Sequence, residues 1–188
     1  MRILLCHIVI FTILIPTTIS LLITFKSINC NASNLTINSN YSCKIRPIKR
    51  NVAALFVLVY VSRNTSNINV DILLTFRQKT SLYYRTLFNV SVNLCDFMSG
   101  KDNSIIMQFV KEILTKFGAD NLFHPCPYLG EVNASNITLD KDNTLKIRSF
   151  KPPDGFYRVQ GRFYGPKDSN MFTISVVVEA SDKQEKNI

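Results

Sequence analysis

Hydrophobic residues along this chain recur with two periods, one typical of strands and one typical of a helix. Apolar and polar positions alternate over residues 69–77 and again over 82–93, as expected for strands with one buried face. Residues 52–62 are apolar at nearly every position, which is typical of a strand that is buried on both sides or faces a large cavity. A mainly β fold follows, with further strand signals at 136–140, 144–150, 155–164 and 171–179.

The alternation also predicts which side chains share a face, because successive residues of a strand point to opposite sides. In 82–93, Phe88 lies on the apolar face and Asn89 on the polar face. In 69–77 the apolar face consists of Val70, Ile72, Leu74 and Phe76. In the last hairpin, Tyr157, Val159 and Phe163 face residues of the second arm: Phe172, Ile174, Val176 and Val178.

Between Asp102 and Gly118 the period lengthens to that of an amphipathic helix. From Ile105 onwards, apolar residues recur at i, i+1, i+4, i+5, i+8, i+9 and i+12. Asp102, Asn103 or Ser104 can cap the start, and Gly118 can adopt the left-handed conformation that ends a helix. We expect a helix over 104–117 that packs on the core rather than on a membrane surface or a partner.

The N-terminal segment is almost wholly apolar from Ile3 to Phe25 and follows a single Arg2. With Pro16 and the small residues Thr18 and Ser20, it predicts a signal peptide over 1–20. The alternative is an uncleaved signal anchor, because residues 21–25 would lengthen the apolar run enough to span a bilayer. The remainder is interpreted as one domain over 21–180 and a flexible polar tail over 181–188.

Potential glycosylation sites support a secreted, extracellular glycoprotein. Asn-X-Ser/Thr sequons are more frequent than chance would give, and each marks an acceptor in a secretory protein. The seven acceptors are Asn31, Asn34, Asn40, Asn64, Asn89, Asn133 and Asn136.

Four cysteines remain when Cys6 is removed with the signal peptide, an even number that fits an oxidising compartment. Two disulfide bonds are expected, and three pairings are open. We favour Cys30 with Cys43 and Cys95 with Cys126, because these pairs close local loops that are not nested.

Catalytic motifs are missing from the sequence, so we expect a protein that is not an enzyme and holds no cofactor. Outside the signal peptide the one histidine is His124, and no nucleophile elbow or Gly-rich phosphate loop is present. A zinc site at His124 and Cys126 would have too few ligands, so no metal is expected. The formal net charge is +9, but the longest basic run is Lys49-Arg50, which does not predict nucleic-acid binding.

Five short segments resemble, in the same order, a large insect family of secreted proteins of uncharacterised function. They are Phe25-Lys-Ser-Ile-Asn-Cys30, Tyr41-Ser-Cys43, Leu87-Phe-Asn-Val-Ser-Val-Asn-Leu-Cys-Asp-Phe97, His124-Pro-Cys-Pro-Tyr128 and Pro153-Asp-Gly-Phe-Tyr157. That family is similar to the ML (lipid-recognition) fold, and some fly members resemble chemosensory proteins implicated in pheromone perception. The resemblance implies an immunoglobulin-like two-sheet β-sandwich with one amphipathic helix and a hydrophobic cavity between the sheets.

Two functions remain open. The first is a monomeric, secreted carrier of a small hydrophobic ligand such as a lipid, fatty acid or cuticular hydrocarbon, with an extracellular receptor as a further partner. In this interpretation residues 52–60 and 70–76 form one wall, 84–92 and 155–178 form the other, and the helix forms a lid or a side. The pocket-lining candidates are Phe56, Leu58, Phe76, Tyr84, Phe88, Phe109, Phe163 and Phe172.

The second function is an extracellular interaction module with a closed core. Its basic surface would engage an acidic receptor or a glycan. The basic candidates are Lys44, Arg46, Lys49, Arg50, Arg158 and Arg162.

Overall fold

The computed structural model describes residues 21–33, 41–49, 52–116, 118–139, 152–166 and 169–182. The predicted signal peptide, the predicted strand at 144–150, Arg50, and two of the sequons, Asn34 and Asn40, lie outside these ranges. The helical elements of the described ranges are α1 Leu94–Met98, α2 Ile105–Lys116 and a short 3-10 turn, Asp120–Leu122. The strands are β1 Leu21–Ala32, β2 Ser42–Lys49, β3 Val52–Thr65, β4 Asn69–Arg77, β5 Arg85–Asn93, β6 Tyr128–Thr138, β7 Gly155–Tyr164 and β8 Asn170–Asp182.

The strands form two antiparallel sheets, as the sequence predicts for a mainly β fold. The five-strand sheet has the order β1-β8-β7-β4-β5, and the three-strand sheet has the order β2-β3-β6. Their backbones approach each other where β1 meets β2 and β3. On that side the bond between Cys30 and Cys43 joins the sheets, and at α1 a second bond joins Cys95 to Cys126. Both bonds are those that the sequence favoured.

The alternation pattern predicted the faces of β4 and of the β7–β8 hairpin correctly. In β5 it is right from Phe88 onwards but wrong at the start of the strand, where a register shift pairs Thr86 with Thr75 and Arg85 with Phe76. Strand β4 has the predicted bounds, and its residues Val70, Ile72 and Phe76 are buried. The hairpin of β7 and β8 pairs Phe163 with Phe172 in the predicted facing arrangement. The other aligned pairs of this face are Gly161 with Ile174, Val159 with Val176, and Tyr157 with Val178.

The grouping of strands into two walls is wrong. Residues 70–76 belong to the same sheet as 84–92 and 155–178, because β4 pairs with β5 on one side and with β7 on the other. Strand β3 lies in the other sheet, between β2 and β6. The chain crosses between sheets in the short link 66–68, and a crossover of that kind leaves no trace in the alternation of either strand.

Some elements were not predicted, and others differ in their bounds. The sequence analysis assigned no structure to β1, β2 or α1, and it placed the start of β6 at 136 instead of Tyr128. Within β6, Gly130 and Asn136 have positive φ angles of 85° and 64°. These two residues interrupt the regular alternation of side chains between the faces of the strand. Strand β5 begins at Arg85, so 78–84 form a loop, and β8 continues to Asp182.

Side-chain caps explain where the helices begin. The Asn93 side-chain oxygen accepts a hydrogen bond from the Asp96 backbone N–H at 3.0 Å, which starts α1 directly at the end of β5. For α2 the predicted cap is confirmed, because Ser104 Oγ accepts from the Met107 N–H at 3.4 Å. Gly118 follows the helix with a φ of 81°.

The described residues form three core clusters. The first joins β4 and β5 to both helices around Val70, Met107 and Tyr128, and the second lies between Val59 of β3 and Phe172 of β8. The third surrounds Leu55 at the β1 and β2 side. In the first cluster the Tyr128 hydroxyl donates to the Leu122 carbonyl at 2.8 Å, and burial raises the pKa of Tyr128 to about 12.

Candidate functional site

A row of apolar side chains crosses the inner face of the five-strand sheet. Directly opposite residues of antiparallel strands project from the same face. Because Ile28 and Val176 pack against the cluster that contains Leu55 of β3, this face is the one turned towards the three-strand sheet. The central row, as we call it, has one residue from each of β1, β8, β7, β4 and β5: Ile28, Val176, Val159, Leu74 and Phe88.

The middle of the central row is poorly covered. Strand β7 is the central strand of the sheet, where an inner residue of a filled sandwich is expected to be deeply buried. Val159 nevertheless has 41% of its surface exposed, and the neighbouring Leu74 is half-buried. Of the described residues in the row, Phe88 and Val176 pack against core clusters, whereas Leu74 and Val159 belong to none of the three. The structure therefore leaves apolar surface accessible on the inner side of a sheet.

On one side of the central row the inner face is closed. The next aligned residue of β7 is Gly161, and a Cβ atom at that position would lie 3.1 Å from Ile174 Cγ2 and 3.5 Å from a ring carbon of Phe163. The Phe163 ring is 6.1 Å from that of Phe172, which packs with Val59. The side chains around Gly161 thus fill the space above that position, whereas the space above Val159 stays open.

On the other side the row ends at an aromatic rim. Phe76 is almost fully buried, its ring centroid is 4.9 Å from that of Tyr157, and the Arg85 guanidinium carbon lies 5.2 Å from the Phe76 centroid. The Tyr157 hydroxyl donates to the Pro153 carbonyl at 2.9 Å. Burial is the main cause of the raised pKa of Tyr157, and Asp154 raises it further, while Arg85 opposes the shift. A cation and a phenol therefore stand beside the exposed apolar surface.

Gly155 allows this rim to close. Its φ of 154° favours glycine, and an added Cβ would lie 2.5 Å from the Arg77 carbonyl oxygen and 2.7 Å from a Phe76 ring carbon. The start of β7 can approach Phe76 this closely because residue 155 has no side chain.

The structure brings together only some of the predicted pocket residues. Four of them lie on the inner face of the five-strand sheet: Phe76, Phe88, Phe163 and Phe172. Phe56 and Leu58 project from the outer face of β3, because Leu55, Val57 and Val59 occupy its inner face. Tyr84 lies between the guanidinium groups of Arg77 and Arg158, and Phe109 is half exposed on α2.

Val159 and Leu74 were not among the pocket candidates, although the sequence placed both on the correct face. Their signal was present in the alternation of 69–77 and in the predicted hairpin. The pattern did not show that, in the part of the chain that the structure describes, Val159 and Leu74 belong to no core cluster.

A concavity of about 460 Å³, lined by both polar and apolar residues, lies on the opposite, outer face of the five-strand sheet. Asp71 is one of its lining residues, and Asp71 Oδ1 accepts from the Ser91 hydroxyl at 2.6 Å and from the Tyr164 hydroxyl at 3.1 Å. Two predicted glycan acceptors, Asn31 and Asn89, line it. This surface therefore offers hydrogen-bonding groups, which the side chains of the central row do not.

The predicted basic surface is divided. Lys44, Arg46 and Lys49 lie on β2 of the three-strand sheet, whereas Arg158 and Arg162 lie on β7 of the other sheet. Arg46 stacks over Phe56 with its guanidinium carbon 4.9 Å from the ring centroid. The described basic residues thus do not form one continuous patch.

The described ranges also bear on metal binding, membrane spanning and glycosylation. No three His, Cys, Asp or Glu side chains lie together there as metal ligands, and Cys126 is in its disulfide bond. None of the helices in the described part of the chain has the length and hydrophobicity to cross a membrane. Four predicted glycan acceptors are exposed, namely Asn31, Asn64, Asn89 and Asn136, whereas Asn133 is half-buried and its amide donates to Glu131 Oε1 at 2.8 Å.

Comparison with known proteins gives a family match and a structural similarity. Residues 68–159 match the model of a family described as "Protein of unknown function (DUF1091)". Among curated proteins, none matches this chain. The fold is similar to the crystal structure of chicken MD-1 complexed with lipid IVa, with a TM-score of 0.39 and 10% sequence identity over 84% of this chain and 96% of that chain.

Proposed function

We propose that this protein is a non-enzymatic binding protein for a small hydrophobic ligand, such as a lipid, fatty acid or hydrocarbon. The ligand lies between the sheets, with its apolar body on Leu74 and Val159. The observation that carries this proposal is the exposure of Val159, an inner residue of the central strand, amid apolar neighbours.

An apolar ligand suits this position because of what surrounds it. The neighbours of Val159 across the strands are Leu74 and Val176, which offer water no hydrogen-bonding side chain. Each Å² of apolar surface removed from water stabilises the complex by about 25 cal/mol, so covering these side chains favours binding. A polar ligand would lose its hydrogen bonds to water there without replacement.

The rim supplies the polar end of the proposed site. Arg85 is the cation beside Phe76, and the guanidinium group pairs well with carboxylates and phosphates. A fatty acid or another lipid with an anionic head would place its chain on the central row and its head beside Arg85. A hydrocarbon would use the row alone.

The cellular role is the finer part of the proposal. The two disulfides fit an oxidising, extracellular compartment, and exposed sequon asparagines suit a secreted glycoprotein. The resemblance to the insect secreted family supports a role in chemosensory or pheromone perception. A monomeric state and a receptor partner belong to the same proposal.

The test is a fluorescence titration of the secreted protein with cis-parinaric acid, followed by displacement with fatty acids and hydrocarbons of increasing length. We expect saturable one-to-one binding. Val159→Phe places a ring where the ligand would lie, so it should weaken binding by about tenfold or more, equivalent to about 1.4 kcal/mol.

The matched control is Val177→Phe, the same substitution on β8, one residue after Val176, the partner of Val159. Val177 pairs with Arg158 and projects from the outer face, so its binding constant should equal that of the wild type. If Val159→Phe binds the probe as well as Val177→Phe does, the ligand does not lie on the central row. If the folded wild type takes up no probe, the proposed function is wrong.

A further inference from the structure

The loop between β4 and β5 presents two large apolar side chains to solvent. Leu82 and Tyr83 are adjacent, and each has 84% of its surface exposed. Isolated exposed apolar residues are common on protein surfaces, but neighbouring bulky residues at a loop tip are characteristic of surfaces that contact a partner or a membrane. Leu82 and Tyr83 form what we call the hairpin tip.

Hydrogen bonds hold the backbone of this loop. The Arg77 guanidinium donates to the Ser81 carbonyl at 2.7 Å, and the Ser81 N–H donates to the Gln78 carbonyl at 3.1 Å. The Tyr83 N–H donates to Ser81 Oγ at 3.2 Å. The exposure of the tip is therefore built into an ordered turn.

Positive charge lies directly behind the tip. Arg77 stacks between Phe156 and Tyr84, with its guanidinium carbon 4.5 Å and 5.3 Å from the two ring centroids. Arg158 stacks on Tyr84 from 3.9 Å. Within the described residues, two of the cations at this end of the sheet, Lys26 and Lys79, form ion pairs with Glu179. In the same part of the chain, the contacts at this end involve five cations and two carboxylates: Arg77, Lys79, Arg85, Arg158 and Lys26, with Glu179 and Asp154.

We propose that the hairpin tip docks the protein onto a lipid surface that carries anionic headgroups. Leu82 enters the boundary between headgroups and acyl chains, and Tyr83 lies at the level of the headgroups, where tyrosine is favoured. The excess of cations behind the tip matches the negative surface potential of such a membrane. This charge complementarity favours an anionic bilayer over a neutral one as the occupant.

The docked orientation would bring the lipid surface to the rim of the central row. Arg85 is the first residue of β5 after the hairpin tip, and it also lies over Phe76 at that rim. Docking itself goes beyond the proposed ligand site and does not depend on it, since it needs only the tip and the cations.

The experiment measures cosedimentation of the full secreted protein with vesicles of phosphatidylcholine containing about one third phosphatidylserine, and with vesicles of phosphatidylcholine alone. We expect binding to the mixed vesicles that is at least about tenfold tighter than to the neutral ones and that weakens as salt is added. The double variant Leu82→Ser/Tyr83→Ser should lose about tenfold or more in affinity for the mixed vesicles.

The control is the double variant Ile48→Ser/Leu129→Ser, which removes two exposed apolar residues from the three-strand sheet. It should bind mixed vesicles as the wild type does. The proposal is overturned if the two double variants bind mixed vesicles equally well, or if the wild type binds neutral vesicles as tightly as mixed ones. It is also overturned if the wild type binds no vesicles and is retained only on an immobilised acidic polypeptide.

Failure of docking and failure of the ligand site can be told apart. The Leu82→Ser/Tyr83→Ser variant should still bind soluble cis-parinaric acid, which also shows that it is folded. Val159→Phe should still bind mixed vesicles while losing affinity for the probe. If each variant loses both vesicle binding and probe binding, the hairpin tip and the central row are not two separate binding surfaces.

Discussion

Two rows on the inner face of the same sheet, separated by the row that contains Gly161, have similar composition and very different burial. The central row contains Val159, which is 41% exposed, whereas Val70 in the other row is 3% exposed. This second row, the packed row, also has one residue from each strand: Ala32, Phe172, Phe163, Val70 and Val92. The same five strands thus carry one closed and one partly open surface.

The difference comes from what lies across from each row. Val70 and Val92 pack in one cluster with Met107 of α2 and with Tyr128, and Phe172 packs with Val59 of β3. The middle of the central row contacts none of these clusters among the described residues. Strand alternation decides which face a side chain takes, but a second element must cover that face before the core is filled.

The largest expected effect is on folding stability, which should fall more when a side chain of the packed row is shortened than when one of the central row is. Phe172→Ala in the packed row should lower the free energy of unfolding by about 3–5 kcal/mol, because it leaves a cavity among side chains that cannot collapse. Leu74→Ala in the central row should cost less than about 2 kcal/mol, because part of that side chain already contacts solvent. Urea unfolding of both variants measures the difference, and equal losses would mean that the rows are equally packed.

The two disulfides should differ in how much their removal destabilises the fold. The Cys95–Cys126 bond spans 31 residues and fixes α1 beside the packed row, whereas the Cys30–Cys43 bond spans 13. From the entropy of the closed loops, their removal should cost about 3.7 and about 2.9 kcal/mol. Thermal unfolding of Cys95→Ala/Cys126→Ala and of Cys30→Ala/Cys43→Ala tests this order. If removal of Cys30–Cys43, which closes the shorter loop, destabilises the fold more than removal of Cys95–Cys126, loop entropy does not dominate.

Part of the five-strand sheet could be predicted, because apolar and polar residues alternate along much of β4 and β5 and the β7–β8 hairpin carries turn residues. The faces of Val70 and Phe88, the facing of Phe163 and Phe172 across the hairpin, and the cap at Ser104 all follow from local sequence. Each depends on neighbours a few residues away or on a pairing set by a hairpin.

The three-strand sheet and the candidate site could not be predicted in the same way. Residues 52–62 are apolar at odd and even positions, so the sequence does not say whether Leu55 or Phe56 faces inward. The Arg46 side chain covers the outward Phe56 ring, a contact between strands that the pattern of β3 alone cannot contain. The exposure of Val159 depends on elements distant in sequence, so it becomes visible only in three dimensions.

At the end of the sheet that borders the central row, an ion triplet joins three segments on the outer face. Glu179 of β8 contacts Lys26 Nζ of β1 at 2.6 Å and Lys79 Nζ of the β4–β5 loop at 2.8 Å. The hydrogen bond to Lys26, followed by that to Lys79, lowers the pKa of Glu179 below its usual value. Polar contacts therefore hold together strands whose inner face is incompletely covered.

The smallest expected effect is the loss of this triplet in Glu179→Gln. Because the pKa of the folded state is lowered, the carboxylate stabilises the fold above the usual glutamate pKa of 4.5, and this contribution disappears as the pH falls through the lowered value. At neutral pH the variant should lose less than about 1 kcal/mol, since the lysines are partly exposed. In acid, the two proteins should be equally stable. Glu112→Gln, which breaks the more exposed pair with Lys116 on α2, is the matched control and should lose less. A difference between Glu179→Gln and the wild type that persists in acid would assign the effect to packing at the end of the central row rather than to charge.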